Sequence, residues 1–190
     1  MEVGLVAGLG NEGTSYQGTR HNLGFEVVDR MAASQGLRWE KCRHAEAWLA
    51  ESPDHLLLLK PTTMMNASGE AIRAVLDWRK IPLKNFMVIM DDIDLPLGRL
   101  RLRAEGSSGG HRGLESLESR LGTREYARLR AGIGRPAENR EAAEHVLEKF
   151  TPEERPVVAR MVEAAVQAVE TWRTGGLEAA LPLGNRKVEA

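Results

Sequence analysis

The chain has 190 residues, 42% of them apolar and 28% charged, enough for one domain with its own core and no covalent staples. A formal net charge of −1 excludes a uniformly basic nucleic-acid binder, so any such partner must meet a local patch. The single cysteine, Cys42, excludes an internal disulfide framework, and no apolar run reaches membrane-spanning length; the expectation is a cytoplasmic, unprocessed protein.

In chain order, residues 3–7 read as a buried strand, followed by a glycine-rich polar loop over 8–20. Residues 22–35 read as a helix with Leu23, Val27, Val28 and Met31 on one side and Gly36 as its stop. Residues 45–49 and 55–59 are strand candidates around the turn Ser52-Pro53-Asp54. A helix over 68–79 carries Ile72, Val75 and Leu76, and 86–90 is a second buried strand. Residues 99–103 alternate arginine and leucine, which gives a strand with one wet face; 113–121 is helical and 128–133 is another strand. Thr151-Pro152-Glu153-Glu154 starts a long helix expected to run to Thr174 and stop at Gly175-Gly176. This alternation predicts a single α/β domain with a mixed, mostly parallel sheet flanked by helices on both faces.

Two short motifs point to chemistries that their contexts oppose. Gly8-Leu9-Gly10-Asn11-Glu12-Gly13 matches G-x-G-x-x-G, but the dinucleotide fingerprint needs a helix to begin inside the motif, and here a polar loop intervenes. Gly106-Ser107-Ser108-Gly109-Gly110 matches G-x-S-x-G, but a nucleophile elbow caps a strand buried on both faces, which the alternating strand before it is not. The five histidines lack metal-ligand spacing; His44, His55 and His145 read as surface or boundary residues and Cys42 as inert.

The arginines of 99–103 and the Arg128-Leu129-Arg130 run present two arginine-only faces beside a glycine-rich turn, a pattern suited to phosphate. Four polar clusters stand out, with Asn11 beside them: His21 with Asn22 at a loop-to-helix junction, Met64-Met65-Asn66 closing a strand-to-helix loop, Met90-Asp91-Asp92-Ile93-Asp94 closing an apolar strand, and Gly110-His111-Arg112 opening a further helix. Ligands of open α/β sheets bind beyond the carboxyl ends of the strands, so these clusters are expected to converge there. A histidine, an aspartate and two asparagines then supply a base, its orienter and amides for an oxyanion.

Together the segments GLGNEGTSYQGTRHNLGF (8–25), KPTTMMNASGEAI (60–72), DDIDLPLGRLRLR (91–103), GSSGGHRGLESL (106–117) and RLRAGIGRP (128–136) resemble bacterial peptidyl-tRNA hydrolases. The resemblance implies one domain over 1–190, with 137–190 a helical C-terminal segment. It implies a monomeric enzyme, free of metal and cofactor, that cleaves the ester between peptide and tRNA. By motif position it makes His21 the catalytic histidine and Asp91 its partner. Asn11, Tyr16, Met65, Asn66, His111 and Arg112 fall at substrate-binding positions, and Arg103 and Arg130 at those that grip the acceptor-stem phosphate. Two residues depart from the family pattern: Glu12 replaces a proline and is expected to loosen its loop, and Arg112 replaces an asparagine that contacts substrate. A non-catalytic RNA-binding protein on the same scaffold is the alternative, since plant organelle splicing factors resemble this family, and a serine hydrolase is a third reading.

Overall fold

The structure, a computed structural model, describes residues 1–189. Its elements are β1 (Gly4–Gly8), α1 (Leu23–Ser34), β2 (Glu40–Lys41), β3 (Ala47–Glu51), β4 (Leu56–Pro61), α2 (Ser68–Arg79), β5 (Phe86–Asp92), β6 (Leu100–Arg103), α3 (Arg112–Leu121), β7 (Ala127–Gly132), α4 (Ala142–His145) and α5 (Arg155–Gly184). All seven strands share one sheet in the order β2-β3-β4-β1-β5-β7-β6. The four central strands are parallel, and β3, β2 and β6 are added antiparallel at the two edges.

Burial on both faces explains the unbroken apolar runs of β1 and β5. Side chains alternate between two layers: Val6, Met87 and Ile89 pack beneath α1 and α5, while Leu5, Ala7 and Val88 pack beneath α2 and α3. Each fully buried side chain of this kind contributes about 1.5–3 kcal/mol, whereas exposed ion pairs such as Arg73 with Asp77 contribute about 0.2–1 kcal/mol. The two apolar layers therefore hold the sheet, and with it the strand ends on which the site is built.

The structure moves several expected boundaries. Strand β5 continues through Asp91 and Asp92, which places both on the sheet. The two-residue β2 and the single turn α4 were not anticipated: Glu40 and Lys41 are both exposed and carry no apolar pattern to betray a strand. Thr151 and Glu154 form a reciprocal capping pair ahead of α5, with Glu154 Oε2 accepting from Thr151 N (2.8 Å) and Thr151 Oγ1 from Glu154 N (3.3 Å). The expected stop at Gly175-Gly176 is a kink: Gly176 adopts φ 83°, ψ 177°, and a second helical stretch runs to Gly184. There Gly184 seats against Leu102, where an added Cβ would lie 2.5 Å from the leucine Cβ.

Candidate active site

The carboxyl ends of β1, β4 and β5 open into a cleft of about 510 Å³. At its floor lies Asp91, 2% exposed at the end of β5. Its carboxylate is met by two imidazoles: His21 Nδ1 lies 2.9 Å from Oδ2 and 3.0 Å from Oδ1, and His111 Nε2 lies 2.9 Å from Oδ1. Burial alone raises the Asp91 pKa, but the charges and hydrogen bonds of His111 and His21 outweigh it and hold the carboxyl well below the usual carboxylate range. Asp91 is therefore an anion that only accepts, and each imidazole must direct an N–H at it.

This arrangement assigns the tautomers. The Gly113 N–H donates to His111 Nδ1 at 3.1 Å, so the neutral His111 ring carries its proton on Nε2 and donates it to Asp91. His21 donates from Nδ1, which leaves the lone pair on Nε2, an atom with no hydrogen-bond partner among the described residues. The same bonds bear on metal binding. The ligand-type atoms of His21, Asp91 and His111 lie within 4.8 Å of one another, yet each imidazole nitrogen facing Asp91 is already hydrogen-bonded to it. An ion could enter only by breaking those bonds, and turning His111 over would set two N–H groups against each other at Gly113.

Beside this trio, Asn11 is locked in place. Its backbone N–H donates to Asn22 Oδ1 (2.8 Å), its carbonyl accepts from Asn22 Nδ2 (2.9 Å), and its Oδ1 accepts from Met65 N (3.0 Å). The Met65 bond fixes the amide orientation and leaves Asn11 Nδ2, on the cleft wall, without a partner among the described residues. Asn66 is exposed at the rim, with Tyr16 and Met65 on the same cleft. His111, Arg112 and Arg130 complete the opposite wall. Nine of the ten expected site residues thus line one cavity.

Arg103 is the one that does not. It is exposed on β6, donating to Asn185 Oδ1 and Leu102 O, both at 2.9 Å. Arg130 is tied down by Asp92 (3.4 Å) and by the Ser107 carbonyl. Arg128 corrects the expectation of an exposed phosphate-binding face: it is fully buried and donates to the carbonyls of Gly106 (2.6 Å), Arg124 and Tyr126 (3.4 Å). The loop before α3 and the turn after it cover this residue, so its guanidinium braces the loop that delivers His111.

Other expectations also change. Glu12 accepts from Trp48 Nε1 at 2.9 Å, so the first loop is tied to β3 instead of loosened. His145 is buried and hydrogen-bonds the Gly134 carbonyl at 3.0 Å, which makes it an anchor of α4 and no surface residue. The motif glycines serve packing: a Cβ on Gly8 would lie 2.2 Å from the Gly24 carbonyl oxygen, so β1 and α1 meet backbone to backbone. Ser108 lines the cleft, but its Oγ accepts from Gly110 N (3.3 Å) and bonds no histidine; β6 before it is an edge strand, which opposes the hydrolase elbow.

An apolar wall completes the cleft: Met64 and Ile93, from two of the clusters read in the sequence, with Ala142, Ala143, Val146 and Leu147, which were not singled out there. Met64 (58% exposed) and Leu147 (48% exposed) are conspicuous there. The segment carrying Leu147 is held by backbone bonds from Arg20 N to Glu148 O (2.9 Å) and from His21 N to Val146 O (2.8 Å). No local pattern signals this, because the contact joins residues more than a hundred positions apart.

A family model described as peptidyl-tRNA hydrolase matches residues 5–190. A relative named peptidyl-tRNA hydrolase from Synechocystis sp. strain PCC 6803 is 43% identical over 186 residues, covering 96% of each chain. One of the same name from Desulfitobacterium hafniense is 44% identical, covering 96% of this chain and 99% of the relative. The crystal structure of peptidyl-tRNA hydrolase from Acinetobacter baumannii superposes with a TM-score of 0.92 at 28% identity, over 100% of this chain and 97% of that one.

Proposed function

The chain belongs to the peptidyl-tRNA hydrolase family, and on that premise we propose that it hydrolyses the ester between a peptide and the terminal ribose of tRNA, with His21 as general base. The observation that carries this reading is a His21 whose Nδ1 is held by the Asp91 carboxylate and whose Nε2 makes no hydrogen bond with the described residues in the cleft. Nε2 takes a proton from water, and the resulting nucleophile attacks the ester carbonyl. Asp91 keeps the productive tautomer and stabilises the imidazolium as it forms. Asn11 Nδ2 and the Asn66 amide are the donors suited to the oxyanion and the peptide carbonyls. His111 holds the second flank of Asp91, and Tyr16 and Met65 border the acyl group. Arg130, with Arg103 beyond the cleft, is suited to RNA phosphate. The reaction runs without a resident metal or cofactor, in the cytoplasm, on a monomer.

Release of free tRNA from an N-acetyl-aminoacyl-tRNA tests the proposal: turnover is expected, while tight RNA binding without release would favour the non-catalytic alternative. That alternative is not favoured, because the relatives matched across nearly their whole length carry the name of an enzyme.

A further inference from the structure

Arg112 is the first residue of α3 and lines the cleft beside His111. Its guanidinium is exposed and makes no hydrogen bond or ion pair with the described residues. The other cleft arginine differs: Arg130 is already engaged by Asp92 and the Ser107 carbonyl. The nearby acids are also engaged, Asp91 by two imidazoles and Asp92 by Arg130 and the Asp94 N–H. No acid in the cleft is therefore free to neutralise Arg112. A substrate anion that meets Arg112 has no ion pair with the described residues to displace, and a planar five-donor fork faces it against a largely apolar opposite wall.

We propose that Arg112 is a specificity-determining residue that clasps an anionic group of the substrate within one side-chain length of the scissile ester. The inference rests on the hydrolase reading. Two parts of a peptidyl-tRNA present anionic oxygens at that distance: the last phosphodiester of the RNA, and a carboxylate side chain on the esterified amino acid.

The test uses four uncleavable analogues in which 3′-amino-adenosine carries an N-acetyl-aminoacyl group through an amide. The nucleoside is either alone or extended by one 5′-linked cytidylate, and the amino acid is either aspartate or asparagine. Affinities are measured calorimetrically for the wild type, Arg112→Gln and Arg112→Lys. A phosphodiester contact predicts that the wild type favours the extended analogues and that Arg112→Gln shrinks that preference by about ten- to a hundredfold. A carboxylate contact predicts the same loss in the preference for aspartate. In either case Arg112→Lys retains part of the preference, because it keeps the charge without the fork. Preferences unchanged by Arg112→Gln, or all four affinities lowered by one common factor, would overturn the proposal. Binding does not depend on turnover, so hydrolysis of the matching esters, assayed alongside, reports separately on the enzymatic reading.

Discussion

The floor of the cleft and its rim differ in how fully their polar groups are committed. On the floor, Asp91 is buried and takes both imidazoles, and Asn11 uses its backbone and its side-chain oxygen before any substrate arrives. On the rim, Asn66 and Arg112 are exposed without polar partners among the described residues, and Met64 and Leu147 present bare apolar surface. On the proposed reading, the floor supplies the fixed proton positions that chemistry needs, and the rim is left open for recognition. Floor substitutions should accordingly lower kcat, and rim substitutions should raise KM.

Among the residues around the base, Asp91→Asn carries the largest expected effect. An amide there can donate as well as accept, so the His21 tautomer is no longer fixed, and kcat should fall on the order of 10³–10⁴-fold with little change in KM. Steady-state kinetics on a single N-acyl-aminoacyl-tRNA check this. A smaller loss is expected for His111→Ala, which leaves His21 in place but removes one of the donors to a buried anion: about 10- to 100-fold in kcat. Equal losses in kcat for His111→Ala and for Asn66→Ala would erase the distinction between floor and rim. For Asn66→Ala the expectation is a KM raised about fivefold, the worth of roughly one exposed hydrogen bond, with thermal stability unchanged.

The last prediction concerns stability. The Asp91 carboxyl titrates lower in the folded chain than in the unfolded one, where its value is about 3.9. Its ionised form thus stabilises the fold above about pH 4, and that contribution drains away as pH falls toward the depressed value. In denaturant titrations the wild type should exceed Asp91→Asn at pH 6, and the gap should narrow by about pH 2.5. A gap that widened on acidification would mean that Asp91 is a strained, unfavourable anion.

How much of this was written in the sequence differs between the same two regions. The apolar runs of β1 and β5 and the polar residues at their ends located the floor, because a buried parallel strand must end where its apolar run ends. The tautomers were out of reach, since they depend on His21, Asp91, His111 and Gly113 meeting across 92 positions of chain. Arg128 and Arg130 show the limit most clearly. Period-two alternation put both on one face, but it cannot tell what covers that face. The loop before α3 buries Arg128 and leaves Arg130 on the cleft. The apolar rim at Val146 and Leu147 was equally hidden, because its place beside His21 is fixed by backbone bonds that no side-chain pattern records.

The central claim is that His21 acts as the base that Asp91 orients. Release of tRNA from one N-acetyl-aminoacyl-tRNA, by the wild type and by His21→Ala at equal concentration and pH, tests it most directly. The expected result is a kcat lowered by about 10²–10⁴-fold in the variant, with tRNA affinity retained. A variant that turns over at close to the wild-type rate would contradict the account.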